Sequence, residues 1–383
     1  MRVHLSGDEF TFGDGFTPEL PGQEDQLRER NAEQHGEEGM IDLRHALVTG
    51  ASGFIGKHIV RRLLDAGLLV TGSVRAPARA EEVRAAVAPH LDDPSGIERL
   101  RFVELDLERD EGWADALEGI DALMHTASPF PMKLPRREEE LIRPAVQGTL
   151  RALQAAEAAG VRRVVLTSSV AAVQGTDLPP GKSRFDEEDW TDVTRSDVTS
   201  YDRSKTLAER AAWDFVRHSA PDMALTSINP GLVLGPALDA RYGTSLQIVE
   251  RILQRKDPML PRWGLSVVDV RDVAEAHVQA LRWPETAGER ILVAGEFLWM
   301  SEIAEAIQGA YPDRKVVTRT APNGLIRLIG LFDPVLRKQV VPHLGKRRDV
   351  SDERARERLG MGLMDARRSV ADTARYLVEL VGL

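Results

Sequence analysis

The sequence predicts an α/β fold in which helices cover both faces of a parallel sheet. From Arg44 to Ser169, short apolar strands alternate with helical segments, which is the pattern of a parallel sheet. The first of these strands runs directly into a glycine-rich turn that opens a helix. Because crossovers between parallel strands are right-handed, we expect a doubly wound sheet. The chain has 383 residues, 42% of them apolar, which is enough for a second, smaller lobe.

Each element follows from its local pattern. Strands are predicted where short apolar runs end at turn residues, and helices where apolar residues recur every three or four positions. The predicted strands are 45–49, 69–74, 100–105, 122–126, 163–167 and 225–229, and the predicted helices are 54–66, 79–88, 113–117, 138–159 and 199–219. The segment 176–198 is rich in proline, glycine and charge, so we expect a loop over the carboxyl edge of the sheet.

Composition excludes several classes of site. The chain has no cysteine, which rules out disulfides, thiolate metal sites and cysteine nucleophiles, and its nine histidines form no HExxH pair. No apolar run approaches the ~18 residues of a membrane span. Residues 1–40 carry ten acids and three arginines, or −7 of the formal charge of −10. The remaining −3 is nearly balanced, so we expect no nucleic-acid partner. We also expect no metal, a cytoplasmic location, and a monomer or homodimer.

The glycine-rich turn has the spacing of a dinucleotide site. The segment TGASGFIG (49–56) follows a strand and opens a helix, and that context distinguishes it from a mere packing turn. Glycines permit a tight turn and close approach to a pyrophosphate, and the helix offers its free N–H groups. A Rossmann dinucleotide site is therefore predicted, with cofactor contacts from Gly50, Ser52, Gly53, Phe54, Ile55 and Gly56.

The end of the second strand favours NADP(H) over NAD(H). An NAD enzyme places a carboxylate there for the ribose hydroxyl, whereas this chain has Arg75, with Arg79 just beyond. A guanidinium suits a 2′-phosphate, although two solvated arginines are the alternative. Further contacts are expected at the ends of the third and fourth strands. Asp106 and Leu107 would border the adenine, and Thr126 and Ala127 would pass under the cofactor.

Two Tyr-x-x-x-Lys matches occur, and only one is predicted to lie in a helix. Tyr311 precedes Pro312-Asp313 and a strand-like 316–318, so its lysine neighbour has no shared face. Tyr201 and Lys205 open a predicted helix, where residues four apart are neighbours. A tyrosine pKa of ~10 is high for proton transfer near neutrality, and we expect the Lys205 ammonium to lower it. Ser168 and Ser169 end the fifth strand, where a carbonyl oxygen would sit.

The chain resembles the extended short-chain dehydrogenase/reductases of the NAD-dependent epimerase/dehydratase family. Within that family it is most similar to the dihydroflavonol 4-reductase, cinnamoyl-CoA reductase and bacterial aldehyde/ketone reductase group. The segments that carry the resemblance are TGASGFIG (49–56), HTASP (125–129), VLTSSVAAV (165–173), YDRSKTLAERAAW (201–213), NPGLVLGP (229–236) and VDVRDVAEAH (268–277). It covers the chain from about residue 44 to the end and leaves residues 1–40 outside.

The resemblance implies roles for individual residues. Tyr201 would protonate a carbonyl oxygen while a hydride arrives from NADPH, Ser169 (with Ser168 as the alternative) would polarise that carbonyl, and Lys205 would bind ribose. Pro230 would lie beside the nicotinamide. The chain departs from the family in three respects. The asparagine that many short-chain enzymes carry before the fifth strand has no match after Arg143, where a Pro-x-x-x-Gly pattern resembles the dihydroflavonol reductase branch. The cysteine of the cinnamoyl-CoA reductase signature is absent, and Glu81-Glu82 stands where the dihydroflavonol reductase branch carries a basic pair.

These inferences define the domains and the reaction. We expect residues 1–40 to be a disordered acidic extension, 41–230 mainly the Rossmann domain, and 231–383 mainly an interwoven substrate lobe, with 266–295 returning to the main sheet. The predicted reaction is NADP(H)-dependent reduction of an aldehyde or ketone. Residues 130–134, 174–198 and 232–263 would shape the substrate site. The apolar residues Leu232, Val233, Leu234 and Trp263 favour an apolar or aromatic carbonyl. The rivals are a nucleotide-sugar epimerase or dehydratase holding NAD, and a non-catalytic NADP sensor.

Overall fold

The computed structural model describes residues 41–128 and 137–383. The predictions for residues 1–40, Pro129 and 130–134 therefore lie outside the described residues. A seven-stranded parallel sheet forms the centre, in the order β3-β2-β1-β4-β5-β6-β9. This confirms the predicted Rossmann-like fold. The strands are β1 (His45–Thr49), β2 (Leu69–Val74), β3 (Leu100–Glu104), β4 (Ala122–His125), β5 (Arg163–Thr167), β6 (Ala224–Pro230) and β9 (Arg290–Val293).

Helices cover both faces of this sheet because each buried strand presents apolar side chains alternately to either side. In β1, Val48 belongs to the core under one helical layer and Leu47 to the core under the other. The first layer contains α1 (Phe54–Asp65), α2 (Ala78–Val87), α7 (Val270–Arg282) and α10 (Glu353–Leu359). The second contains α3 (Trp113–Ala116), α4 (Glu139–Ala158) and α5 (Ser200–Ser219). Helices α4 and α5 also pack on each other.

A second, smaller sheet follows in the chain. Strand β8 (Gly264–Asp269) pairs in parallel with β7 (Leu232–Leu234) and antiparallel with β10 (Glu296–Trp299). Its core is shared with α6 (Gln247–Leu253), α8 (Met300–Ala310) and α11 (Ala366–Glu379). Helix α9 (Asn323–Gly330) packs on a separate small core. Of the segment 266–295, β9 thus lies in the large sheet and β8 in the small one.

Two local features differ from a simple reading of propensity. Pro144 lies inside α4 without ending it. Four residues later Gly148 leaves room for Leu107, because a Cβ added to Gly148 would lie only 3.0 Å from the Leu107 Cβ. The expected strand at 316–318 is wrong, because these residues are irregular and only Thr320 forms a bridge, to Leu260. Among the described residues, no helix has the length and apolarity needed to cross a membrane.

Candidate active site

The glycine turn after β1 is built for close approach. Gly50 has φ +68°, and a Cβ there would lie 2.9 Å from the Cα of Ala127, on the turn after β4. A Cβ on Gly56 would overlap the carbonyl oxygen of Gly50 and lie 3.0 Å from its carbonyl carbon. Side chains at either position would push the turn away from the helix, so only glycine keeps it in place.

The amino end of α1 offers an anion site. Its N-cap residue is Gly53, which supplies no side-chain cap, so the first-turn N–H groups remain for another acceptor. The glycine cradle and these donors together fit a pyrophosphate. This observation supports the predicted dinucleotide contacts of Ser52, Phe54 and Ile55.

Two arginines follow β2, and the residues of β2 include no acid. Arg75 is exposed and has no hydrogen bond or ion pair with any described residue. Arg79 donates through Nη2 to the carbonyl of Ser52 at 3.4 Å, and its Nε lies 3.1 Å from a Glu82 oxygen without hydrogen-bond geometry. Arg79 thus lies beside the glycine turn as the ion-pair partner of Glu82, and Arg75 lies exposed directly after β2.

The turn after β4 is tied to the end of β1. The Thr49 hydroxyl accepts the N–H groups of Thr126 at 3.1 Å and Ala127 at 3.2 Å, and the Thr126 hydroxyl donates to the Thr49 carbonyl at 2.5 Å. These bonds hold Thr126 and Ala127 beside Gly50. His125, buried at the end of β4, shares a 2.9 Å hydrogen bond with Thr49, and its Nε2 has no partner among the described residues.

Asp106 and Leu107 have local roles that the sequence left open. The Asp106 carboxylate accepts the N–H of Glu108 at 3.0 Å, which is the cap that a loop aspartate commonly forms. Leu107 packs against Gly148 of α4. Both residues still follow β3, at the same edge of the sheet as the glycine turn.

Tyr201 stands in the first turn of α5, and a capping box fixes where that helix begins. Thr199 accepts the N–H of Asp202 at 3.1 Å, and the Asp202 carboxylate accepts the N–H of Thr199 at 3.0 Å. The Tyr201 and Ser169 side chains share a hydrogen bond. Ser168 turns elsewhere, because its hydroxyl donates to Glu209 at 2.6 Å.

The electrostatics of this pair differ in one respect from the sequence prediction. Burial raises the pKa of Tyr201, and the bond from Ser169 lowers it less, so the predicted lowering by Lys205 is wrong for the chain alone. Burial lowers the pKa of Lys205 to about 8, against the opposing charge of Glu209. The Lys205 ammonium has no hydrogen bond or ion pair with the described part of the chain.

Sequence reasoning missed the buried carboxylate of Glu209. It accepts hydrogen bonds from Ser168, Asn229 and Arg290, among other donors. The available signal was its spacing, because Glu209 lies four residues after Lys205 on one helix face.

The apolar residues proposed for the substrate divide into two groups. Val233 and Leu234 are buried in the hydrophobic cores, so the expectation that they face a substrate is wrong. Leu232 and Trp263 are only partly buried.

The sequence profile of the NAD dependent epimerase/dehydratase family matches residues 46–295. This match spans more than half of the chain. The chain belongs to this family. Two curated relatives are similar over most of their length: a ketoreductase from Aspergillus niger, 32% identical over 88% of this chain and 98% of the relative, and a cinnamoyl-CoA reductase from Medicago truncatula, 34% identical over 72% and 83%. Both are named as reductases.

Solved structures of other proteins share the fold. The yeast methylglyoxal/isovaleraldehyde reductase complexed with NADPH aligns with a TM-score of 0.71 at 26% identity, over 88% of this chain and 99% of its own. A nucleoside-diphosphate-sugar epimerase from Pseudomonas aeruginosa aligns with a TM-score of 0.69 at 19% identity, over 87% and 97%. Since the fold accommodates both activities, the choice between them depends on the site.

Proposed function

We propose that this protein is an NADP(H)-dependent oxidoreductase that reduces an aldehyde or ketone to an alcohol. The observation that carries the proposal is the hydrogen bond between Ser169 and Tyr201. One helical turn away, the ammonium of Lys205 has no partner among the described residues. Ser169 follows β5 at the carboxyl edge of the sheet, where the Rossmann glycine turn also lies. The reductase names of the relatives support the same reaction.

Each residue of the site has a distinct task. The phenol of Tyr201 is protonated near neutrality and is the proposed proton donor to the carbonyl oxygen of the substrate. Burial, which raises its pKa, makes it a weaker acid in the chain alone. In the chain alone Ser169 donates its hydroxyl proton to Tyr201. With substrate bound, that single proton would be donated to the carbonyl oxygen instead, beside the one from Tyr201. Lys205 would bind the nicotinamide ribose, and Pro230, at the end of β6, would lie beside the ring. NADPH, when bound, supplies the hydride.

NADP(H) is proposed over NAD(H) because of the arginines after β2. Arg75 is free of carboxylate partners in the described chain, and Arg79 retains donors next to Ser52. A guanidinium binds a phosphate through paired, charge-assisted hydrogen bonds. The relative of known structure is likewise complexed with NADPH. The remaining proposed cofactor contacts are Gly50, Gly53, Phe54, Ile55, Gly56, Asp106, Leu107, Thr126 and Ala127.

The substrate is proposed to be a small apolar or aromatic carbonyl compound. Leu232 and Trp263 supply partly exposed apolar surface in the second lobe, and the relatives are named for methylglyoxal, isovaleraldehyde and cinnamoyl-CoA. We further propose that the protein acts in the cytoplasm as a monomer or homodimer, without nucleic acid. The near balance of charge after residue 40 supports the absence of a nucleic-acid partner.

The test is consumption of NADPH, and separately of NADH, across aliphatic aldehydes, aromatic ketones and flavanonols. Turnover that prefers NADPH is expected, and the best substrate defines the class. If no carbonyl is reduced and tightly bound NAD accompanies the purified protein, the proposal is wrong and sugar-nucleotide chemistry replaces it. If NADPH binds tightly but no compound is reduced, the protein is a sensor.

A further inference from the structure

Glu209 is a buried carboxylate on the same helix face as the proposed catalytic pair. It follows Lys205 by four residues and Tyr201 by eight, so one stripe of α5 carries all three side chains. Its side chain has no exposed surface. A carboxylate removed from water at this position needs several partners to compensate for the lost hydration.

Both carboxylate oxygens of Glu209 are fully engaged. Oε2 accepts hydrogen bonds from the Ser168 hydroxyl at 2.6 Å and from Asn229 Nδ2 at 2.8 Å. Oε1 accepts from Arg290 Nε at 2.6 Å and, at longer distance, from Ser227 and Trp213. The donors come from the ends of β5 and β6, from β9 and from α5 itself. One carboxylate thus joins four elements.

These bonds lead directly to the site. Asn229 Nδ2 also donates to the carbonyl of Ser169 at 3.2 Å, and the Ser169 side chain is bonded to Tyr201. Asn229 directly precedes Pro230, which is proposed to lie beside the nicotinamide. The carboxylate therefore fixes the two strand ends from which Ser169 and Pro230 project.

The charges around Glu209 are few. Arg290 is its ion-pair partner, and that guanidinium lies 3.6 Å above the ring of Trp190 and donates to the carbonyl of Asp189 at 3.0 Å. Lys205, one turn away, is a second cation that Glu209 acts on. The groups that face Lys205 are Glu209 and Tyr201 on α5 and, from the end of β4, His125. Burial lowers the pKa of His125 to about 3, so His125 is neutral near pH 7 and adds no charge.

We propose that Glu209 is a positioning residue of the reductase, which aligns Ser169 with Tyr201 through the strand ends and keeps Lys205 an ammonium through its fixed charge. The inference rests on the proposed function, because it assigns Glu209 a role in that same site. Glu209 touches neither the substrate nor the reacting atoms. A purely structural role, in which the ion pair only holds the elements together, predicts a loss of stability and nothing more.

Three variants separate these possibilities. Glu209→Gln removes the charge but leaves Arg290 buried without its partner, which destabilises the fold. Glu209→Gln combined with Arg290→Gln is a neutral pair of similar volume, in which stability is expected to recover. Asn229→Ala keeps the charge and removes the link to Ser169. The matched control is Arg163→Gln, a buried arginine at the opposite end of β5 that donates to the carbonyl of Trp283 at 2.8 Å.

The measurements are thermal unfolding, kcat and KM with NADPH, and the pH profile of kcat/KM. In the double variant we expect near wild-type unfolding, a kcat lowered at least tenfold, and an alkaline limb at lower pH, since losing a nearby opposite charge lowers a lysine pKa. In Asn229→Ala, kcat is expected to fall while the alkaline limb of the kcat/KM profile stays at its wild-type pH. Arg163→Gln should unfold at a lower temperature and leave that limb unchanged.

A folded double variant with wild-type kcat and an unshifted alkaline limb would overturn the inference. An alkaline limb shifted by the same amount in Arg163→Gln would overturn it as well. Failure of the proposed function is distinguishable from this. If the wild-type protein binds NADPH but reduces nothing, the pH dependence of NADPH affinity reports the same Lys205 titration without turnover. A double variant whose NADPH affinity then follows the wild-type pH curve overturns the electrostatic role of Glu209 on its own.

Discussion

Alanine at Gly56 tests the geometry of the glycine cradle. In an ordinary helix this substitution stabilises by about 1 kcal/mol, because glycine is the weaker helix former. Here the new Cβ would overlap the carbonyl oxygen of Gly50, against backbone that cannot rotate away as a side chain can. Overpacking of this kind costs about 1–3 kcal/mol, so the free energy of unfolding is expected to fall by up to about 2 kcal/mol.

Cofactor binding should suffer more than stability. The displaced turn carries the donors proposed for the pyrophosphate, and one charge-assisted hydrogen bond is worth about 1.5–3 kcal/mol. We therefore expect the NADPH Kd to rise at least about tenfold. The control is Gly309→Ala in α8, where the added Cβ meets no atom within 4 Å. It should stabilise by about 0.5–1 kcal/mol and leave the Kd unchanged.

The assays are urea unfolding and titration of NADPH fluorescence, with both variants prepared in parallel. If Gly56→Ala binds NADPH as the wild type does, and is stabilised like Gly309→Ala, the close approach of helix and turn has no functional consequence and the cofactor site has been misplaced.

Two other consequences are open to measurement. Arg75→Ala should raise the KM for NADPH about tenfold, the value of one charge-assisted hydrogen bond to the 2′-phosphate, and leave the KM for NADH unchanged; equal effects on both cofactors would refute the phosphate contact. Stability should fall below about pH 6.5, because burial lowers the pKa of His58, His125 and His277 to about 3, 3 and 4. Below that pH these histidines bind protons in the unfolded chain but stay neutral in the native chain. The free energy of unfolding therefore falls by about 1.4 kcal/mol per pH unit for each histidine. Asp272, whose pKa burial raises to about 7, acts in the opposite direction, because it binds its proton at higher pH in the native chain than in the unfolded chain. Its contribution to stability offsets that of one histidine. Urea unfolding at pH 6.5, 6.0 and 5.5 measures the sum, and a midpoint that stays constant or rises would contradict it.

Local sequence predicted the parts of the fold that depend on near neighbours. The glycine turn and the helix that carries Tyr201 and Lys205 are determined by residues within one or two turns, including the capping box around Thr199. The alternation of strands and helices identified the sheet because each β–α unit has its own apolar pattern. Residues 316–318 show the limit, since a β-branched run forms a strand only where a free sheet edge meets it.

Long-range contacts could not be predicted. The partners of Glu209 include Asn229 and Arg290, which are 20 and 81 positions away, and they come together only because β5, β6 and β9 are neighbours. The pKa of Tyr201 is another case. The lysine four residues on was visible in the sequence, but the burial that raises the pKa depends on the tertiary structure.

The most direct test of the proposed reduction is Tyr201→Phe, which removes one hydroxyl and keeps the ring. The variant and the wild type are compared for NADPH affinity and for kcat with the best carbonyl substrate. Loss of the proton donor should lower kcat by about 10²–10⁴-fold, with NADPH affinity within about twofold of wild type because the ring and Lys205 remain. Full turnover in Tyr201→Phe would contradict the account, since the proton would then come from another group.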